Sequence, residues 1–204
     1  MSAMSADMVR WPPTGIEAVV IGTSAGGIDA LTVLLPALPA NGRLVVFIVV
    51  HLPPSQPSLL CEIFQAKCAW PVCEAEDKAV VEARTVYFAP PDYHLLLDDG
   101  PQLSLSIDPP VHFSRPAIDV LLESAADVYG ERLLGIVLTG ASEDGANGLL
   151  AVHQAGGATL VQSPDEAATP VMPRHAIRRC PSAHVMTLEE MGMLLRDLAL
   201  ESAR

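Results

Sequence analysis

Short runs that are almost wholly apolar alternate along this chain with longer amphipathic ones. EAVVIG from Glu17, RLVVFIVVH from Arg43 and LLGIVLTG from Leu133 are rich in β-branched residues and nearly free of polar ones. That is the pattern of parallel strands buried on both faces. After the first run, IDALTVLLPAL (28–38) places Ile28, Leu31, Leu34, Leu35 and Leu38 at helical spacing, and Pro39 with Asn41-Gly42 closes the segment. A helix is expected around Leu59 to Lys67. In mid-chain, TVYFAPP reads as a strand and HLLLDDGPQLSLS as two strands joined by an Asp-Gly turn, a hairpin signal. SRPAIDVLLESAADVYG restores a helix, with Pro116 near its first turn. DGANGLLAVHQAGG is a short helix closed by Gly156 and Gly157. ATLVQ (158–162) reads as the last strand, and Thr187 with Glu190 forms a capping box that opens a final helix. The alternation predicts an α/β fold: a doubly wound, mostly parallel sheet, Rossmann-like and three-layered, with a small antiparallel hairpin.

In such a sheet the C-terminal ends of the strands share one edge, where ligands bind. Ser24 follows the first apolar run, His51 ends the second, and Asp144 follows the third. Three residues far apart in sequence thus meet at one edge, and their types are those of an acyl-transfer triad. Ser24 lies in GTSAGG (22–27), a glycine-flanked turn matching G-x-S-x-G, and the Ala25 amide at the start of the helix is a candidate oxyanion donor. Each residue also has a plainer reading. Small residues in a first βα turn serve phosphate loops or packing, a histidine closing a strand can be a core residue, and aspartate before a helix is a common cap. Arg115, just before a helix, is a candidate substrate or structural contact.

Composition narrows the classes. At 204 residues the chain reads as residues 1–15, a flexible N-terminal tail, followed by one domain over 16–204. Its net charge of −12 argues against nucleic acid and anionic membrane surfaces. No apolar run reaches the roughly 18 residues of a spanning helix, and the N-terminus lacks the pattern of a signal peptide. Cys61, Cys68, Cys73 and Cys180 show no CxxC spacing, as expected of reduced thiols in a cytoplasmic protein. His94, His112, His153, His175 and His184 show no metal spacing, so no metal site is expected, and these histidines read as structural or surface residues.

Six segments in order, GTSAGG, VVHLPP, YFAPPDYHLLL, SRPAIDVLL, LTGASEDGANG and VMPRHAI, resemble the catalytic domain of the chemotaxis receptor methylesterases, the CheB family. The resemblance spans about Ile16 to Leu198. It implies a serine esterase that removes methyl groups from glutamates of chemoreceptor signalling helices, releases methanol and in many members deamidates glutamines. It also implies Ser24 as nucleophile, His51 as general acid/base and Asp144 as orienting carboxylate, with no metal or organic cofactor. The partner implied is the methylated cytoplasmic domain of a chemoreceptor, met by a cytoplasmic monomer. Two departures stand out. Ala25 replaces a hydroxyl residue of GASTGG, and Ala141-Ser142 replace the methionine and glycine of TGMGxDG. Ala141, in the loop before Asp144, is a second candidate near the oxyanion. Only about 15 residues precede the first strand, so no receiver domain of the kind many family members carry is expected in this chain.

Two other enzyme readings fit less well. TGASEDGANG resembles a dehydrogenase glycine loop but comes late in the chain, and no Tyr-x-x-x-Lys accompanies it. An α/β-hydrolase using Ser24 with His175 or His184 would place several strands before its serine, whereas one is expected here. A catalytically silent binding module is the non-enzymatic alternative.

Overall fold

The structure, a computed structural model, describes residues 11–52, 58–100 and 102–201. The expected strand–helix alternation is present. Strands β1 (Ala18–Thr23), β2 (Val45–Val50), β3 (Val72–Glu74), β4 (Val86–Phe88), β7 (Leu133–Val137), β8 (Ala158–Gln162) and β9 (His184–Met186) form one sheet in the order β3-β4-β2-β1-β7-β8-β9. Every pairing in it is parallel. Strands β5 (His94–Asp98) and β6 (Gln102–Ser106) form the antiparallel hairpin as a separate two-stranded sheet.

Successive strand residues point to opposite faces, so a strand that is apolar throughout feeds two cores. Val19 and Ile21 enter one core, Ala18 and Val20 the other. The first core is closed by α1 (Gly27–Leu34), α2 (Leu60–Gln65) and α6 (Leu188–Glu201). The second is closed by α3 (Ile118–Tyr129), α4 (Ala146–Gln154), α5 (Val171–Arg179) and the hairpin residues Leu95, Leu97 and Leu103. Each fully buried leucine or isoleucine contributes about 1.5–3 kcal/mol relative to exposure.

ATLVQ is not the last strand: β9 adds to the sheet edge beyond it. Neither β9 nor β3 was expected. Each is three residues long and only partly buried, so neither carries an apolar run. α5 was also unassigned as an element; Pro173 in its first turn and its polar exposed face disguise it. Ile28 is 41% exposed rather than part of the buried stripe of α1. The capping box is present: Glu190 N–H donates to Thr187 Oγ1 at 3.3 Å, and Thr187 N–H donates to Glu190 Oε2 at 2.8 Å. Of the segment assigned to a tail, residues 1–10 lie outside the described residues. Trp11 stacks on His184 with ring centroids 3.7 Å apart and packs against the first core. The prolines after His51, Pro53 and Pro54, also lie outside the described residues.

Candidate active site

The sheet order sets the geometry of the site. β1 lies between β2 and β7, where the chain turns from building one half of the sheet to building the other. The ends of these three neighbouring strands carry Ser24, His51 and the loop to Asp144. Main-chain bonds tie them together: Ser24 N–H donates to Thr139 O at 3.0 Å, and His51 N–H to Thr23 O at 3.1 Å. Adjacent strands lie about 4.8 Å apart, which puts the three side chains in one neighbourhood.

His51 and Asp144 are paired. His51 Nε2 lies 2.8 Å from Asp144 Oδ2, and the aspartate side chain is fully buried. The same carboxylate accepts three main-chain N–H groups: Ile118 on Oδ2 at 2.7 Å, Asp119 on Oδ1 at 2.9 Å and Gly145 on Oδ1 at 2.9 Å. Ile118 and Asp119 open α3, where unpaired amides and the helix dipole favour negative charge. Asp144 thus follows β7 and precedes α4, yet it anchors the start of α3, 26 residues earlier in the chain. That contact depends on Gly22, since a Cβ there would lie 2.1 Å from Ile118 Cγ2. With Nε2 committed to Asp144, Nδ1 is the ring nitrogen left to meet a further group.

Ser24 is held by its backbone, not its side chain. Its carbonyl accepts from Gly27 N–H at 2.9 Å, closing the turn into α1. Thr139 Oγ1 donates to Ala25 O at 2.8 Å and fixes the next peptide. The hydroxyl of half-buried Ser24 is hydrogen-bonded to no described residue, His51 included. Catalytic bonds of this kind often tighten only when substrate is bound. The amides of exposed Ala25 and Ala141 are likewise free of described acceptors, whereas Gly140 N–H is spent on Thr169 O at 2.9 Å. Gly140 presses against Ser24: a Cβ there would meet Met172 Sδ at 1.9 Å and Ser24 Cβ at 2.9 Å.

Arg115 lines a cavity of about 130 Å³ beside His51, Leu52 and Phe113. Its guanidinium is engaged within the protein: Nη2 and Nε donate to Asp92 Oδ1 at 2.6 and 3.0 Å, and Nη1 donates to Ile107 O and Asp108 O at 2.8 and 3.1 Å. It braces the loop that leads into α3. In that loop Val111 and Ser114 bond each other in both directions around His112 and Phe113, whose φ angles are 49° and 62°. Two positive φ values at the centre mark a type I′ turn, usually built from Asn and Gly. Here the turn sends His112 inward and leaves Phe113 fully exposed at the rim of the cavity.

Sequence reasoning had set His112 aside and did not single out Asp119. His112 Nε2 lies 3.2 Å from Asp119 Oδ2, and Asp119 Oδ1 accepts Gly148 N–H at 2.7 Å. Burial pushes the Asp119 carboxyl above its ordinary range, the Gly148 bond opposes this, and the Asp144 charge raises it further. The signal was an aspartate in the first turn of a helix that follows SRPA. Among the described residues, His112, Asp119 and Asp144 are the trio close enough to share a metal ion. Their carboxylate oxygens are already filled by four main-chain amides and two imidazoles, which suits fixed charge rather than metal capture.

The sequence profile described as CheB methylesterase matches residues 19–195. The chain belongs to the CheB methylesterase family. A Leptospira interrogans protein named putative protein-glutamate methylesterase/protein-glutamine glutaminase is 42% identical over 178 residues, covering 87% of this chain and 92% of that protein. A protein-glutamate methylesterase/protein-glutamine glutaminase of Trichodesmium erythraeum is 40% identical over 150 residues, which is 72% of this chain and 43% of that protein. Other CheB relatives are also about twice as long, with 48% of the Symbiobacterium thermophilum protein matched. The crystal structure of the Thermotoga maritima CheB methylesterase catalytic domain superposes with a TM-score of 0.85 at 30% identity, covering 90% of this chain and 98% of that one. The doubly wound CheB sheet with its added hairpin is therefore the fold expected from the sequence.

Proposed function

We propose that this chain is a serine esterase that hydrolyses γ-methyl esters of glutamate residues in a chemoreceptor and releases methanol. Family membership supports the reaction class, and the buried, amide-bound Asp144 holding His51 beside Ser24 is the observation that carries the mechanism. Ser24 Oγ attacks the ester carbonyl while His51 Nδ1 takes its proton, and Asp144 stabilises the resulting imidazolium through Nε2. The Ala25 amide, at the positive end of α1, donates to the oxyanion, and the Ala141 amide faces the same task from the β7 loop. The tetrahedral species collapses, the C–O bond to methoxide breaks, and His51 returns the proton so that methanol leaves. Water then attacks the acyl-serine with His51 again as base, freeing glutamate and Ser24.

The same steps on a glutamine side chain release ammonia instead, in keeping with the second activity in the relatives' names. The partner is the methylated cytoplasmic part of a receptor, met by a cytoplasmic monomer whose residues 16–204 form one catalytic domain. No described helix is long and apolar enough to cross a membrane. The test is methanol release from radiomethylated chemoreceptor membranes by the wild type, Ser24→Ala and His51→Ala. Release by the wild type that is lost in both variants supports the reading; equal release by Ser24→Ala overturns it. Loss on Ser24→Ala is expected to exceed about 10⁴-fold in kcat.

A further inference from the structure

The chain has 24 acidic residues against 12 basic ones. Yet α5 packs Arg174, His175, Arg178 and Arg179 into nine residues and holds no acid. Positions four apart are neighbours on a helix, so these four side chains share one face. The opposite face, Met172, Pro173 and Ala176, is buried. All three arginines are exposed. Arg179 commits Nε to Asn147 Oδ1 at 2.8 Å, while the guanidinium groups of Arg174 and Arg178 make no hydrogen bond or ion pair with any described residue. In a protein with twice as many acids as bases, unpaired arginines gathered on one face leave a local positive potential that nothing inside the fold uses. Glu143 is an acid on the rim of this face. It is held by His112 Nδ1 at 3.3 Å and His175 Nδ1 at 3.8 Å, and it lines with Arg178 and Arg179 a cavity of about 310 Å³.

The face is also well placed. Met172, in the first turn of α5, touches Gly140 beside Ser24. With a rise of about 1.5 Å per residue, Arg178 lies about 9 Å further along the axis. That is next to the reacting ester, not on it.

We propose that this face of α5 docks the substrate polypeptide by binding acidic side chains that flank the methylated glutamate. The proposal rests on the esterase reading above. Each turnover converts a neutral ester into a carboxylate, so a segment with several such sites becomes more anionic as it is processed. A chain of net charge −12 repels such a product everywhere except at a cationic face. The arginines therefore favour segments already partly hydrolysed.

The test uses two peptides, each with one glutamate γ-methyl ester, flanked by glutamates in one and by glutamines in the other. Binding and initial rates are measured for the wild-type chain, for R174E/R178E/R179E and for the milder R174Q/R178Q/R179Q. The wild type is expected to prefer the glutamate-flanked peptide on the order of tenfold at low salt, with the preference fading as the Debye length shrinks. Both variants are expected to lose that preference through Kd and KM, with kcat changed by no more than about twofold. A glutamate preference retained in both variants, or one expressed in kcat alone, overturns the docking face. If the wild type cleaves neither peptide, the esterase reading fails instead, and the binding preference still decides the role of α5.

Discussion

Asp144 and Ser24 stand at the ends of neighbouring strands and are held in opposite ways. Asp144 is buried, and its two oxygens accept three main-chain amides and one imidazole. Ser24 is half-buried, its hydroxyl meets no described partner, and Ala25 next to it is exposed. In the proposed reaction the carboxylate keeps one charge and one position, and it is held by amides from the start of α3 and from Gly145 and by the His51 ring. In the same proposed reaction the hydroxyl leaves its resting place to attack, and the neighbouring amides stay free to receive a charge that exists only in the transition state. The two sides separate what is prepared in advance from what is left open for the substrate.

Asp144→Asn attacks the prepared side and has the largest effect after Ser24→Ala. Whichever way the amide turns, its NH2 faces main-chain donors. We expect kcat to fall about 10³–10⁴-fold and stability to drop by about 1–3 kcal/mol. Methanol release together with a denaturation midpoint measures both, and an Asp144→Asn chain of wild-type activity would remove the distinction between the sides.

Gly140→Ala attacks the open side by sterics alone. The new Cβ presses on Met172 and Ser24, and an ångström of displacement at the nucleophile costs about ten- to hundredfold in rate. Because the tightest contact is with the flexible Met172 side chain, adding Met172→Ala should recover part of that loss. Steady-state kinetics of the single and double variants decide it.

Asp119→Asn sharpens the electrostatics behind Asp144. The folded-state pKa of Asp119 is raised, so its contribution to stability is fully present below the unfolded value and is lost as pH rises through the folded one. The facing groups are His112, Asp144 and the Gly148 and Gly145 amides. Wild type should therefore gain stability relative to Asp119→Asn as pH is lowered from neutral toward 4, and thermal midpoints across that range test the sign.

The smallest effect lies away from the site. Burial, then Glu74 and Cys73, push the Cys61 thiol up to about 11. Iodoacetamide, which needs the thiolate, should label Cys61 slowly at pH 8 and markedly faster above pH 10. Rapid labelling at pH 8 would show a looser wall around α2 than the structure has.

Much of this was legible in sequence because it is written in short-range pattern. β1, β2 and β7 announce themselves as apolar runs, the hairpin by Asp99-Gly100, and α6 by its capping box. The three residues proposed as a triad follow from those strand ends. The unread parts are relations between distant segments. That Asp144 grips the start of α3, that Met172 reaches Gly140, and that His112 turns inward through two positive φ angles depend on how helices settle on the sheet. β3 and β9 escaped for another reason: at a sheet edge a three-residue strand needs no continuous apolar face.

The central place of β1 also governs when the site comes into being. Ala18 of β1 pairs with Val45 on one side and with Leu133 on the other. The second pairing closes a loop through more than half the chain, a slow step compared with local helix formation. On a ribosome, the proposed nucleophile and its base emerge early and wait without the Asp144 carboxylate until β7 and α3 have both arrived. In the proposed mechanism esterase activity therefore reports completion of the β2-β1-β7 centre of the sheet, and a chain halted before Asp144 is silent however well its first half has folded.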